Sequence, residues 1–258
     1  YSEGMKMLSE ERHKKIVSLV NENKSMTVQM LMKALDASES TIRRDLGELA
    51  ERGLIEKVYG GAIAKAVTFL GKDETVTIRM EQNREAKLAI AKHAASLISD
   101  DDFVYLDAGT TTECMIPFIT AKKAVFVTNG FSHARKLSEA GFVTNILGGE
   151  VKFPTEAVVG EEAVLMLLKY HFTKGFWGTN GISLSNGFST PDVKEALIKQ
   201  TSMSRTHEKY ILGDASKFSK ISCVSFAEFS DATIITSALE DKLSSYRSYK
   251  NIVEVKEQ

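Results

Sequence analysis

The chain has 258 residues, of which 33 are Lys or Arg and 34 are Asp or Glu, so its formal charge is −1 at neutral pH. This balance excludes a uniformly basic nucleic-acid binder, and the 43% hydrophobic content is that of a globular protein rather than a disordered or fibrous one. No uncharged apolar run approaches the roughly 20 residues that a membrane-spanning helix needs. The two cysteines cannot build a disulfide framework. We therefore expect a cytoplasmic protein.

The first 64 residues are predicted to form three helices followed by a β-hairpin. Apolar residues recur at helical spacing within residues 10–23, 28–35 and 39–52. The Gly-Gly pair at 60–61 then separates two short β-rich runs, which is typical of a hairpin. Helices and hairpin in this order predict a winged helix-turn-helix domain over residues 7–64.

The third helix carries the candidate DNA-reading residues. Its apolar side chains face one side, so that two arginines and several hydroxyl side chains face the other side near the helix N-terminus. Arginine binds phosphate or pairs with a guanine edge in the major groove, and Ser and Thr donate to phosphate oxygens. The hairpin is expected to form a wing beside the DNA backbone. The candidate DNA-binding residues are Ser38, Ser40, Thr41, Arg43 and Arg44 on the helix and Lys57 and Tyr59 on the hairpin.

The charges on this helix also have a simpler explanation, a solvated face with internal ion pairs. The acidic residues Glu39, Asp45 and Glu48 lie among the arginines and dilute the positive charge. The order of three helices and a hairpin favours DNA binding over this alternative. Residues 65–84 are less regular and are predicted to link the domain to a second one at 85–258.

From residue 85 onward, helical patterns alternate with short β-rich runs. Such alternation predicts βαβ units and a doubly wound, mostly parallel α/β sheet. The predicted strands are 103–106, 125–128, 144–147, 175–177, 210–212 and 233–236, and the predicted helices are 87–98, 131–139, 161–169 and 193–204.

A phosphate-binding segment is predicted where the first of these strands ends, at residues 107–112. Parallel sheets bind ligands at the carboxyl ends of their strands, and a helix that begins there offers free N–H groups to an anion. Gly109 allows close approach of the backbone, and threonines 110–112 add hydroxyl donors. Similar segments follow the other strands, and each alone is typical of an ordinary turn. Because they recur, we expect a ligand site there; they are Thr128–Gly130, Gly148–Glu150, Gly178–Gly181 and Gly213–Lys217.

These residues carry a resemblance to a known family. Ser38-Glu-Ser-Thr-Ile-Arg-Arg-Asp-Leu46 with Tyr59-Gly-Gly-Ala62 resembles the winged helix of the DeoR-type bacterial repressors. The resemblance extends over nearly the full chain and implies a sensor domain with a fold related to ribose-5-phosphate isomerase. The segments similar to that sensor domain are 107–112, 128–129, 148–149, 190–192 and 214–217.

The resemblance implies a transcriptional repressor of a sugar-utilisation operon, controlled by a sugar phosphate. Within the family the chain looks most like the fructose-operon repressors of Gram-positive bacteria, which implies fructose 1-phosphate or a related sugar phosphate as the effector. Repressors of lactose-pathway and other sugar operons share most of this pattern. The effector-binding candidates are Asp107, Gly109, Thr110, Thr111, Thr112, Thr128, Asn129, Gly149, Asn180, Glu195 and Lys217.

An alternative is a sugar-phosphate isomerase or deaminase-like enzyme with an added N-terminal module. Related isomerases look like Gly-Ala-Asp-Glu where this chain has Gly178-Thr-Asn-Gly181. An amide cannot act as a general base, so we expect no enzymatic activity. We also expect no cofactor and no metal, because the histidines lack ligand spacing. A single winged helix makes few contacts, and we therefore predict a homodimer or tetramer on double-stranded operator DNA.

Overall fold

The fold is taken from a computed structural model of the chain. It describes residues 8–23, 25–52, 54–64, 68–70 and 76–256, so residue 7, the predicted start of the first domain, lies outside the described residues. In these ranges, no helix has both the length and the apolar character needed to cross a lipid bilayer.

The described residues fall into two compact units. The first lies within Tyr1–Ala66 and also takes in Glu240–Tyr249. The second lies within Val67–Leu239 and Lys250–Gln258. Each unit has its own apolar core.

The first unit contains the predicted helices and hairpin. The hairpin strands pair antiparallel, and a short strand between the first two helices joins them to give the strand order β1-β3-β2. This third strand was not predicted. The elements are α1 (Ser9–Asn23), β1 (Ser25–Thr27), α2 (Val28–Leu35), α3 (Glu39–Glu51), β2 (Ile55–Val58) and β3 (Gly61–Ala64).

Local sequence fixes α2 and the fold around it. The Thr27 side chain accepts a hydrogen bond from the Met30 N–H (3.2 Å) and caps the helix start, while Asp36 ends the helix in the left-handed conformation at φ 47°. The apolar faces of the helices meet in a single core. That core contains Ile16, Val20, Leu31, Leu35, Ile42, Leu46, Leu49, Ile55 and Ala62.

The second unit is built on a parallel sheet, as the alternation predicted. The strands of this unit are β4 (Thr68–Leu70), β5 (Phe103–Leu106), β6 (Val125–Thr128), β7 (Val143–Ile146), β8 (Glu150–Lys152), β9 (Ala157–Val159), β10 (Phe172–Gly178), β11 (Gly181–Ser183), β12 (Gly187–Thr190), β13 (Thr206–Leu212), β14 (Lys220–Ser222), β15 (Val224–Ala227), β16 (Thr233–Ser237) and β17 (Ile252–Val255). Seven of them form the sheet in the order β17-β16-β13-β10-β5-β6-β7, with every pair parallel.

This strand order gives the sheet a topological switch point. The chain enters the sheet at β5, runs through β6 to the β7 edge, and then returns to β10 on the other side of β5. It continues from there through β13 to the opposite edge. Loops after β5 and β10 therefore diverge and leave a crevice between them, which is where open α/β sheets bind ligands.

Helices cover both faces of the sheet. Val104 and Leu106 of β5 pack in one apolar cluster that includes the helix before β5 (Arg84–Ser96), whereas Tyr105 and Trp177 point to the opposite face. There the Trp177 indole N–H donates to the Ser202 hydroxyl at 2.9 Å, so this tryptophan is a fully buried core residue. The helices are α4 (Val76–Glu81), α5 (Arg84–Ser96), α6 (Thr110–Glu113), α7 (Phe131–Glu139), α8 (Glu161–Leu167) and α9 (Val193–Ser204).

Part of the segment predicted to be a linker has regular structure. Residues 65–67 and 71–75 lie outside the described residues, but β4 pairs in parallel with β14, and α4 leads directly into α5. Sequence analysis missed β4 and α4 because both elements are short and because β4 depends on a partner strand, β14, far along the chain. Both elements belong to the second unit.

Candidate DNA-binding surface and effector pocket

The N-terminus of α3 presents a cluster of hydroxyl groups. Ser38 caps the helix by accepting the Thr41 N–H at 3.3 Å, and its hydroxyl lies 2.8 Å from that of Thr41. The Ser40 hydroxyl is 3.1 Å from that of Ser38. The three side chains are exposed or half-buried and lie within one turn of each other. This geometry suits donation to phosphate oxygens of a DNA backbone.

Both arginines of α3 extend into solvent. Arg43 donates to the Glu39 carboxylate at 2.7 Å, and Arg44 lies 3.9 Å from Glu48; the two arginine side chains are 56% and 68% exposed. Ion pairs at this spacing and exposure are weak, so they leave both guanidinium groups available to a stronger anion. Ile42 is buried on the opposite side of the helix.

The β2–β3 hairpin places the two remaining DNA candidates at its tip. Lys57 is exposed on β2, and Tyr59 is fully exposed at the turn. Gly60 adopts φ +83°, and a Cβ on Gly61 would lie 2.2 Å from the Met26 carbonyl oxygen. The glycines are therefore required for the tight turn and for the pairing of β3 with β1.

A buried ion pair fixes the orientation of α3, and sequence analysis missed it. Asp45 is completely buried and accepts hydrogen bonds from Arg12 Nε (2.5 Å) and Arg12 Nη2 (3.0 Å). His13 Nε2 lies 3.1 Å from the same carboxylate. Burial alone raises the pKa of Asp45, but the hydrogen bonds from Arg12 and His13 outweigh it and hold the pKa below its usual range.

In the second unit a cavity opens at the carboxyl ends of β5, β10 and β13, where the sheet topology places a ligand crevice. It encloses about 390 Å³, including its open mouth. We call this cavity the effector pocket. Its lining residues are Arg79, Gln82, Asn83, Lys87, Gly109, Thr110, Thr111, Gly178, Thr179, Leu212, Asp214 and Lys217.

Four predicted effector residues line this pocket, namely Gly109, Thr110, Thr111 and Lys217. Thr112 does not line it, because its hydroxyl donates within the 107–112 segment, where the Asp107 carbonyl (2.6 Å) and the Gly109 carbonyl (2.7 Å) accept. Thr112 thus shapes the segment that presents its two neighbours to the cavity.

Three cations converge on the pocket. Lys87 is 4% exposed, and burial is the main cause that lowers the pKa of its amine. The neighbouring positive charge of Lys217 lowers it further, Arg79 acts in the same direction, and Asp214 opposes them. Cations gathered around one cavity with a single carboxylate in its lining favour an anionic ligand.

Asp107 supports the pocket from below rather than lining it. Its carboxylate forms a buried ion pair with Lys199 of α9 and accepts the Gly178 N–H at 3.1 Å. Lys199 also donates to the Gly178 carbonyl oxygen at 3.1 Å. The pair therefore holds the loop after β10 against the 107–112 segment. Sequence analysis predicted Asp107 and missed Lys199, which lies 92 residues away.

Thr128 and Asn129 likewise support the pocket without lining it. The Asn129 side-chain oxygen accepts the Ala108 N–H at 2.9 Å and the Tyr105 hydroxyl at 3.1 Å. Thr128 accepts the Gly130 N–H at 3.0 Å. The Asn129 bond to Ala108 ties the loop after β6 to the 107–112 segment, whereas the Thr128 bond lies within that loop.

Three further predicted residues lie outside the pocket lining. The Glu195 carboxylate accepts hydrogen bonds from Lys152 (3.0 Å) and Thr155 (2.6 Å). The Asn180 side-chain oxygen accepts a weak bond from Thr190 at 3.4 Å. Gly149, at φ +147°, packs against the backbone of β9.

The lining residues that sequence analysis assigned to no site come mainly from the predicted linker and the start of α5. Arg79, Asn83 and Lys87 follow one another at intervals of four residues, which is the signal that could have identified them. Asn83 adopts the left-handed conformation (φ 50°), and its amide donates to Asp214 at 3.0 Å. This bond joins the segment to the loop after β13.

Both units of the chain match families of known proteins. A family profile described as a DeoR-like helix-turn-helix domain matches residues 12–67, and one described as the DeoR C-terminal sensor domain matches residues 82–238. The Bacillus subtilis (strain 168) protein described as uncharacterized HTH-type transcriptional regulator FruR is 41% identical, over 96% of this chain and 99% of its own length. The lactose phosphotransferase system repressor of Staphylococcus aureus (strain COL) is 32% identical, over 96% of this chain and 100% of its own length.

A solved structure of lower similarity is ribose 5-phosphate isomerase A from Methanocaldococcus jannaschii. It is 15% identical, with a TM-score of 0.40, over 53% of this chain and 55% of that chain. The crystal structure of eIF2B delta from Chaetomium thermophilum is 19% identical, with a TM-score of 0.39, over 55% and 51% of the two chains.

Proposed function

The chain belongs to the DeoR family of DNA-binding transcriptional regulators, and on this basis we propose that it represses a sugar-utilisation operon under the control of a phosphorylated sugar. The observation that carries the proposal is the convergence of Arg79, Lys87 and Lys217 on a pocket lined by threonine hydroxyls. A phosphate group pairs with the cations, and polar groups remain for the hydroxyls of a sugar.

The pocket has two kinds of lining that match the two parts of such a ligand. Thr110 and Thr111 offer hydroxyl and backbone donors beside the cations, and this is where we place the phosphate. Gln82, Asn83 and Asp214 offer amide and carboxylate groups that pair with sugar hydroxyls.

Fructose 1-phosphate is the effector that we propose first. The support is the resemblance of the sequence to fructose-operon repressors, while the lactose phosphotransferase system repressor at 32% identity makes other sugar phosphates the comparison to test. Binding to the folded state at 100 times Kd should stabilise it by about 2.7 kcal/mol. Thermal shifts with fructose 1-phosphate, fructose 6-phosphate, galactose 6-phosphate and unphosphorylated fructose should therefore rank the candidates.

Operator binding is proposed to use the exposed face of α3 and the hairpin. The arginines Arg43 and Arg44 read base edges or phosphates, and Tyr59 and Lys57 contact the backbone as a wing. A single unit of this kind buries little surface, so two or more copies on a repeated site are needed for specific affinity. We propose a homodimer or tetramer assembled through the second unit. Light scattering of the free protein and of the DNA complex will measure this oligomeric state.

We infer that the protein does not catalyse a sugar-phosphate isomerisation. Asn180 offers an amide where a general base is needed, and the Glu195 carboxylate is engaged by Lys152 and Thr155. An isomerase assay beside the binding experiments tests this inference. Turnover of a sugar phosphate without any effect on DNA binding would replace repression by an enzymatic function.

The decisive experiment is a gel shift on DNA from upstream of the chain's own gene, with and without each sugar phosphate. We expect a specific shift, and one phosphorylated sugar should change the apparent affinity about 5- to 150-fold. Unphosphorylated fructose serves as the control, since it cannot engage the three cations. A protein that binds neither the DNA nor any sugar phosphate offered would refute the proposal.

A further inference from the structure

One wall of the effector pocket is formed by the chain segment that immediately follows the first unit. Arg79 of α4 lines the cavity, and its backbone carbonyl oxygen accepts a hydrogen bond from the Lys87 amine. Asn83, between α4 and α5, is bonded to Asp214 (3.0 Å) and Ser216 (3.3 Å). The wall is thus fastened to the rest of the pocket by polar contacts rather than by an apolar core, since α4 has no buried residue.

The same wall is connected to a pair of strands. Arg79 follows β4 in the chain, and Lys217 precedes β14, which pairs in parallel with β4 from Lys220↔Thr68 to Ser222↔Leu70. Two of the three pocket cations therefore lie on the segments that flank this strand pair. Going back along the chain from β4, the next described residue is Ala64, the end of the hairpin in the DNA-binding unit.

A bound anion would change the contacts of this wall. Lys87 donates to the Arg79 carbonyl oxygen, and the positive charges of Lys217 and Arg79 lie nearby. A phosphate offers Lys87 a charged acceptor, which is a stronger partner than a neutral carbonyl oxygen, and it attracts the Arg79 guanidinium. Both effects act on α4, none of whose residues is fully buried.

We propose that Arg79 is the residue that couples the effector pocket to DNA binding. Its side chain binds the effector anion, and the resulting shift of α4 is passed through β4 to the chain that leads to the winged helix. This inference rests on the proposed function, since it requires a phosphorylated effector in this pocket. Arg79 is accordingly a positioning residue for the DNA-binding unit as well as a ligand contact.

The test separates the effect of Arg79 on the coupling between effector and operator binding from its effect on affinity for the effector. Arg79→Gln removes the charge, and Arg84→Gln is the matched control, because Arg84 is exposed at the start of α5 and lies outside the pocket lining. Operator affinity is measured without fructose 1-phosphate and at concentrations that saturate each variant, with saturation monitored by calorimetry. We expect the parent and Arg84→Gln to change operator affinity about 5- to 150-fold and Arg79→Gln to change it by less than about twofold.

The outcomes distinguish this inference from the proposed function. If Arg79→Gln binds fructose 1-phosphate more weakly yet responds fully at saturation, Arg79 is only a ligand contact and the inference is wrong. If the parent itself ignores fructose 1-phosphate, the proposed effector is rejected and the inference with it.

A second measurement does not depend on saturating the variant. Hydrogen exchange of the Val76–Glu81 and Lys220–Ser222 amides should change when fructose 1-phosphate binds to the parent or to Arg84→Gln, while Glu161–Leu167 in α8 serves as the internal reference. In Arg79→Gln the change at Val76–Glu81 should be lost. Unaltered exchange of both segments in the ligand-bound parent would overturn the inference.

Discussion

Asp45 on α3 is bound by Arg12 on α1 through two hydrogen bonds, at 2.5 and 3.0 Å, in a site with no exposure of the carboxylate. Its neighbours in sequence, Arg43 and Arg44, extend into solvent on the other side of the helix. The pair therefore fixes α3 against α1 with these two arginines on its exposed face. A buried ion pair of this kind is costly to break even where its net stabilisation is small.

Asp45→Asn should destabilise the first unit strongly. It leaves the Arg12 guanidinium largely buried beside a neutral amide, and breaking a buried pair in this way costs about 3–5 kcal/mol. Because the pKa of Asp45 is held below its ordinary value of 3.8, the stabilisation is present in full above that pH. It is lost as the pH falls through the lowered pKa of the folded state. Denaturant unfolding followed by helical circular dichroism measures both effects.

Glu48→Gln is the matched control for this change. Glu48 lies one turn further along α3, where its side chain is 49% exposed and 3.6 Å from His13. The substitution removes the same charge as Asp45→Asn without leaving a buried cation alone. We expect its effect on unfolding to stay within about 0.5 kcal/mol. Equal destabilisation by the two variants would contradict the structural role given to Asp45.

Arg43→Ala and Arg44→Ala should each weaken operator binding and leave effector binding intact. Loss of a base or phosphate contact costs about 1–3 kcal/mol, and loss of a phosphate contact also lowers the slope of log affinity against log salt by about one. Gel shifts at several salt concentrations give both quantities.

Arg135→Ala is a close control for Arg43→Ala. Arg135 on α7 pairs with Glu139 at 2.9 Å in the same i,i+4 arrangement and is 58% exposed, against 56% for Arg43. Its removal should not affect DNA binding. If both α3 variants bind the operator like the parent, the helix assigned to reading DNA is the wrong one.

Local sequence patterns predicted those elements of the fold whose boundaries are marked by residues of the element itself or its immediate neighbours. The ranges Val28–Leu35, Phe131–Glu139 and Val193–Ser204 were predicted to the residue, because each is an apolar face bounded by a cap or a turn. By contrast, β4 was missed, since it is a three-residue strand that exists through pairing with β14, about 150 residues away in sequence. No local pattern encodes such a partner.

The pocket could be predicted only in part for a related physical reason. The position of the 107–112 segment at the end of β5 follows from sequence, because parallel strands place their carboxyl ends at one edge. The direction of the Asp107 side chain does not, since it depends on Lys199 of α9. In the same way, Arg79 and Lys87 become pocket residues because Asn83, between α4 and α5, is bonded to Asp214 in the loop after β13.

Thr111→Val and Thr112→Val should have different consequences, although the substitutions are chemically identical. Thr111 lines the pocket, so loss of its hydroxyl should weaken effector binding by about 1.5–3 kcal/mol, as for a hydrogen bond to a charged group. Thr112 bonds to two carbonyl oxygens of its own segment, so its variant should lower stability by about 1–3 kcal/mol.

Calorimetric titration with the sugar phosphate and thermal melting of the free protein measure these two effects. In addition, Thr111→Val should bind operator DNA like the parent in the absence of effector. An unaltered effector titration in Thr111→Val would argue against placing the phosphate at this segment.

Effector affinity should fall as the pH rises through the lowered pKa of Lys87. In the free protein, burial and the charge of Lys217 lower the pKa of Lys87, whereas a bound phosphate raises it by favouring the charged amine. Between these two pKa values the complex holds a proton that the free protein lacks. Binding therefore takes up a proton in that window, and affinity is highest below it.

Calorimetry in two buffers of different ionisation enthalpy, from about pH 7 to pH 10, measures this proton uptake. Lys87→Gln should bind more weakly at pH 7 and should lose the uptake and the decline in affinity over the same range. Lys194→Gln is the control, because Lys194 is 56% exposed and paired with Glu150, away from the pocket lining. A parent affinity that stays constant up to pH 10 would mean that Lys87 does not contact the anion.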